Sequence, residues 1–122
     1  MLEQIKEKYE NTPEFIQVLY ENYLGKSQKD LADLMGVTTR TVYRWIREEK
    51  IESISKLAAE RVEETKKIFS ILSDVVSNKT INEWLYAENL YINGKRPLDL
   101  LIKKDYQTAR DLALNIRYGI YP

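Results

Sequence analysis

Helix breakers are scarce in this chain, and where they fall decides what it can fold into. Its 122 residues contain three Pro and four Gly, and Pro13 and Pro97 each sit where a helix would begin or be interrupted. Between these points apolar residues recur every three or four positions, the period of an amphipathic helix. Asn11-Thr12-Pro13-Glu14 opens the first such stretch, with Thr12 as cap and Pro13 at the first helical position. Phe15, Ile16, Leu19 and Tyr23 follow at helical spacing, and Gly25 closes the helix. Ser27 caps a second helix with Leu31, Leu34 and Met35 inward, which Gly36 ends after barely two turns. Thr38 or Thr39 caps a third, carrying Val42, Trp45 and Ile46 on one side.

From Ile54 to Val76 there is neither Gly nor Pro. Ile54, Ala58, Val62, Thr65, Phe69, Leu72 and Val76 form one stripe, with Glu60, Arg61, Glu64 and Lys67 opposite. Two readings of the stripe stand open: a connecting helix packed on its own chain, or the seam of a dimer. Ser77-Asn78-Lys79 breaks the pattern, and Thr80-Ile81-Asn82-Glu83 is a capping-box string before Trp84-Leu85. Asn89 through Gly94 reads as a loop, Pro97 starts a short helix to about Ile102, and Asp105 caps a last helix that Gly119 terminates. Ala109, Leu112, Ala113 and Ile116 are its inner stripe. The expected fold is all-α: an N-terminal helix-turn-helix bundle over 1–53, a long connecting or dimerisation helix over 54–78, and a small helical module over 79–122.

Composition narrows the chemistry. Cys and His are both absent. That removes thiolate nucleophiles, imidazole bases, Ser-His-Asp triads and the usual zinc ligands. No phosphate-cradling GxxxxGK[ST] string occurs. Asp99 and Asp105 form a carboxylate pair in the C-terminal module, and helix caps explain them more simply than acid–base work. The expectation is therefore a non-enzymatic protein with no cofactor, no metal and no small-molecule substrate. No run approaches the ~20 apolar residues that span a bilayer, and the N-terminal MLEQIKEKYE lacks a signal peptide's apolar core. No membrane partner and a cytoplasmic location are expected.

Lys and Arg total 19, as do Asp and Glu, which excludes binding of polyanions by bulk charge. Residues 26–50, however, hold 6 basic and 4 acidic side chains, an excess centred on the short helices around Gly36. Gln28 through Arg47 fits a helix-turn-helix. Ala32 stands at the closest crossing of the two helices, and Gly36 takes the positive φ of the turn. At 100° per residue, Arg40, Tyr43, Arg44 and Arg47 share an arc of about 100° opposite Val42, Trp45 and Ile46. Guanidinium forks match guanine edges or phosphate oxygens. Thr39, Arg40, Tyr43 and Arg44 are the base-edge candidates; Gln28 and Thr38, at helix starts, are phosphate candidates with Arg47 and Lys50. The same surface could instead serve protein contact. The motif resembles the Xre/phage-repressor class. Specific DNA interfaces bury roughly 1,000–2,500 Å², more than one such unit offers, so a homodimer on operator DNA is expected.

The segment from Glu83 to Leu101 carries Trp84-Leu85, Asn89, Leu90, Gly94, Pro97-Leu98 and Leu100-Leu101, and Ile116-Arg117-Tyr118-Gly119 follows near the end. This pattern, over residues 80–122, resembles the toxin-binding domain of Xre/MbcA/ParS-type antitoxins. It departs at Glu88, where Pro is usual, and around Asp105-Tyr106, where a Gly often occurs. The resemblance implies a type II antitoxin. Its partner would be a RES-type toxin, NAD-consuming or ADP-ribosylating, whose active site the C-terminal module covers. The implied toxin-binding residues are Trp84, Asn89, Arg117, Tyr118, Gly119, Ile120, Tyr121 and Pro122. The residues themselves leave two readings of the apolar tail: insertion into a partner's groove, or folding back through a Gly119 cap. The alternative function is a stand-alone transcriptional regulator whose C-terminal module dimerises or senses a ligand.

Overall fold

The computed structural model describes residues 12–48 and 54–119. Within them the chain forms α1 (Thr12–Val18), α2 (Gln28–Met35), α3 (Thr39–Glu48), α4 (Lys56–Leu72), α5 (Asn78–Tyr86), α6 (Pro97–Ile102) and α7 (Tyr106–Arg117). The described residues contain no β-strand; the one isolated bridge joins Asn89 to Lys95. The all-α expectation is met.

Local chemistry sets most boundaries. Ser27 Oγ accepts the Asp30 N–H at 3.2 Å and Ser55 Oγ accepts that of Ala58 at 3.2 Å, starting α2 and α4. Asp105 starts α7 by accepting the Thr108 N–H at 3.3 Å. Pro97 occupies the first turn of α6, where its missing N–H is no loss.

Three features differ from the sequence reading. First, α1 widens into a single π-turn, Leu19–Tyr23, closed by the Leu24 N–H on Leu19 O at 2.9 Å. Tyr23 and Leu24 are both buried there. Second, α4 stops at Leu72; Val75 and Val76 N–H both turn back to Leu72 O at 3.0 Å. Third, the cap of α5 is Ser77, whose Oγ accepts the Thr80 N–H at 3.2 Å. Thr80 is thus already inside the helix, and the box expected from Thr80 to Glu83 does not form. A start at Ser77 also places Ile81 and Leu85 in the core while Glu83 stays exposed.

Helix α4 lies at the centre. It buries Ala58, Val62, Thr65, Lys66, Ile68, Phe69, Ser70, Ile71 and Leu72, and packs against α1, α2 and α7. The Phe69 ring centroid lies 4.8 Å from that of Tyr23 and 6.0 Å from that of Phe15, the planes tilted by 44° and 45°. The stripe that could have been a dimer seam is therefore covered by the chain itself, with Ile54 and Val76 half-buried at its ends. One continuous core runs from Phe15 on α1 to Ala113 on α7 and crosses residues 53/54 and 78/79. Polar contacts cross the fold too: Asn82 Nδ2 donates to Tyr23 O at 2.7 Å, and the Tyr86 hydroxyl donates to Asp30 Oδ2 at 2.6 Å.

Candidate functional site

The α2–α3 corner is built from a few local bonds. The Val37 N–H reaches Ala32 O at 3.0 Å, and Gly36 turns the chain at φ 70°, ψ 32°. An L side chain rarely adopts that conformation. It would also collide: a Cβ at Gly36 would lie 2.8 Å from Arg61 Nε. Thr38 Oγ1 accepts the Thr41 N–H at 3.1 Å, which settles the α3 cap on Thr38. With this start, Val42 and Trp45 point into the core beside Leu31, Ala32 and Met35.

The opposite side of α3 is exposed at Thr39, Arg40, Tyr43, Arg44 and Arg47. The structure brings these five residues onto one face. None of the ion pairs or side-chain hydrogen bonds among the described residues engages the three guanidiniums. Thr38 is exposed just before them, its hydroxyl committed to the cap. Gln28 is half-buried at the first position of α2. Lys50 lies outside the described residues.

The arginines elsewhere are tied to their own chain. Arg61, which the helical wheel placed on an outer face, has its Nη1 3.4 Å from Leu34 O and 3.3 Å from Ile102 O. Those carbonyls belong to the last turns of α2 and α6, which lack intrahelical donors and carry the negative helix ends. One guanidinium thus joins the helix-turn-helix to the C-terminal module beneath Gly36. Arg110 pairs with Glu64 at 3.7 Å. Arg96 pairs with Asp99 at 2.7 Å, and its backbone N–H donates to Asp99 Oδ2 at 3.0 Å, closing the start of α6. The Arg96 bonds hold the Asp99 carboxyl below its usual range. Burial, then the hydrogen bond to Asp30, pushes the Tyr86 phenol well above its ordinary value.

The C-terminal residues expected to face a partner separate into two kinds. Trp84 is half-buried. Asn89 builds its own loop: its Oδ1 accepts the Tyr91 N–H at 2.9 Å, and its backbone N–H donates to Lys95 O at 2.9 Å. What that loop presents is Leu90, 91% exposed, and Tyr91, 62% exposed, neither singled out by sequence as a functional pair. Arg117 has a role inside the fold. Its side chain is 6% exposed and is bound to the end of α4, through Asp74 and the Ile71 carbonyl. Tyr118 and Gly119 are exposed. Ile120, Tyr121 and Pro122 lie outside the described residues.

Among the described residues, no group of three or more His, Cys, Asp or Glu could hold a metal ion. No described helix is long and apolar enough to cross a membrane.

An exposed arginine face on the second helix of a tight corner, fused to a small helical module through a shared core, defines a helix-turn-helix protein with an appended C-terminal unit. Residues 15–58 match the homeodomain-like domain family. The chain is 31% identical over 101 residues to the probable mycobacterial cidal antitoxin Rv3188 of Mycobacterium tuberculosis, covering 80% of this chain and 81% of that protein. It is 22% identical over 98 residues to the mycobacterial cidal antitoxin MbcA of Mycobacterium bovis, covering 80% and 85% respectively. Its fold matches a chain in the crystal structure of the Mycobacterium tuberculosis MbcT–MbcA toxin–antitoxin complex, with a TM-score of 0.69 and 20% identity, over 93% of this chain and 100% of that one. The chain belongs to the mycobacterial cidal antitoxin family, and it is an antitoxin of a toxin–antitoxin system with a helix-turn-helix domain.

Proposed function

We propose that the chain neutralises a RES-type toxin, NAD-consuming or ADP-ribosylating, by covering its active site, and that it represses its own operon by binding operator DNA. The observation that carries this reading is the placement of two different exposed surfaces on one core. Arg40, Tyr43, Arg44 and Arg47 line α3, while Tyr118 and Gly119 emerge from the far end of α7. A cationic helix face suits a major groove. An exposed aromatic at a helix terminus suits insertion into a protein groove. In this reading residues 1–53 serve DNA, 79–122 serve the toxin, and 54–78 join them. Thr39, Arg40, Tyr43 and Arg44 meet base edges; Gln28, Thr38 and Arg47 meet phosphates. Trp84 and Asn89 shape the toxin-facing module, and Tyr118 through Pro122 enter the toxin.

A homodimer supplies the second half-site, because specific DNA complexes bury roughly 1,000–2,500 Å². Its seam lies away from the buried stripe of α4. The chain acts by occlusion, without turnover of its own, in the cytoplasm.

The test is co-expression with the cognate toxin. The full chain restores growth, and a chain ending at Arg117 does not. Equal protection by the shortened chain overturns the covering mechanism.

A further inference from the structure

Arg117 closes α7, and its side chain crosses the fold to reach α4. Nη1 donates to Ile71 O at 2.9 Å and lies 2.5 Å from Asp74 Oδ1, while Nη2 is 3.4 Å from Asp74 Oδ2. Ile71 O belongs to the last turn of α4, where carbonyls lack intrahelical donors and a cation meets the negative helix end. The partners are 46 and 43 residues distant in sequence, so these bonds fasten the end of one helix to the end of another. Helix ends ordinarily fray. Here the next two backbone groups are also held: the Tyr118 N–H on Leu114 O at 3.0 Å and the Gly119 N–H on Ile116 O at 3.2 Å. Gly119, at φ 68°, then turns the chain off the helix axis.

We infer that the Arg117–Asp74 pair positions Tyr118 for the toxin: it fixes the place and direction in which the partner-facing residues leave α7. Association then need not first order that end, which is how preorganisation strengthens a complex. Arg117 is a positioning residue and makes no contact with the toxin itself. The inference rests on the reading that the C-terminal end faces the toxin.

The test uses the purified full chain and the RES-type toxin that it neutralises in co-expression. Asp74→Asn is the first variant, because Asp74 is 61% exposed and its loss leaves the core intact. Arg117→Gln is the second, and the swap Arg117→Asp with Asp74→Arg is the rescue. Amide exchange over residues 114–119, toxin affinity and operator affinity are measured on each. The expected result is faster exchange and about tenfold weaker toxin binding for the single variants, with partial recovery in the swap and unchanged operator affinity. Faster exchange with toxin affinity unchanged within twofold overturns the positioning role, as does unchanged exchange. A chain ending at Arg117 is the control. If it binds the toxin as tightly as the full chain, the toxin-facing reading of this end has failed, and the positioning role falls with it.

Discussion

The chain's seven arginines divide cleanly between two regions. Arg40, Arg44 and Arg47 stand exposed along one side of α3, with no ion pair among the described residues. Arg61, Arg96, Arg110 and Arg117 all bind their own chain, two of them at helix-end carbonyls. The difference comes from what lies within reach. A guanidinium on an outer α3 turn meets only solvent, whereas one facing the end of a neighbouring helix meets unpaired carbonyls and a negative dipole. Arginine in a sequence is therefore ambiguous: the same side chain builds the fold or contacts a partner, and its surroundings decide.

Substitution should separate the two groups. The largest effect is expected on α3. Arg40→Ala and Arg44→Ala each weaken operator binding by ~1–3 kcal/mol where bidentate to a base, while the melting temperature holds. Fluorescence anisotropy against DNA from upstream of the chain's own gene, with thermal melts alongside, checks this. Unchanged affinity in both variants would move DNA contact elsewhere.

The junction arginine should show the reverse pattern. Arg61→Ala costs about 1.5–3 kcal/mol of stability, because two helix-end carbonyls lose a charged donor. Gly36→Ala costs about 1–2 kcal/mol from its left-handed backbone alone, plus whatever displacing Arg61 adds. In a double-mutant cycle, then, Gly36→Ala is milder in the Arg61→Ala background. Strict additivity in denaturant melts would show that the two residues do not press on each other.

A smaller effect is expected at Tyr86. Removing its hydroxyl with Tyr86→Phe costs about 1 kcal/mol, the worth of a partly buried hydrogen bond. The pH signature is specific. The folded chain holds the phenolic proton above its ordinary value, so it keeps a proton that the unfolded chain releases. This contribution is complete below about pH 10 and declines as pH rises above it. Tyr86→Phe should flatten the alkaline fall in stability; an identical fall in both proteins would assign it to other groups.

Much of the N-terminal half was legible because its signals are local. Ser27, Gly36 and Thr38 act on bonds a few residues away, and the alternation of Val42 and Trp45 with Arg40 and Arg44 states the two faces of α3 directly. What escaped depends on distant partners. The π-turn at Leu19–Tyr23 answers to packing of Tyr23 on Phe69. The stripe of α4 reads the same whether its own chain or a second copy covers it. Ser77 and Thr80 are both credible caps, and burial of Ile81 and Leu85 accompanies the first. Arg117 could not be told from a partner-facing cation until Ile71 and Asp74 were seen beside it.

In the proposed function, DNA and toxin engage separate faces of one core. Growth rescue by the Arg40→Ala/Arg44→Ala double variant, expressed from an unrelated promoter with the toxin, tests it most directly. Full protection is expected from a chain that no longer binds its operator. Loss of protection in step with loss of DNA binding would show that the two faces are one.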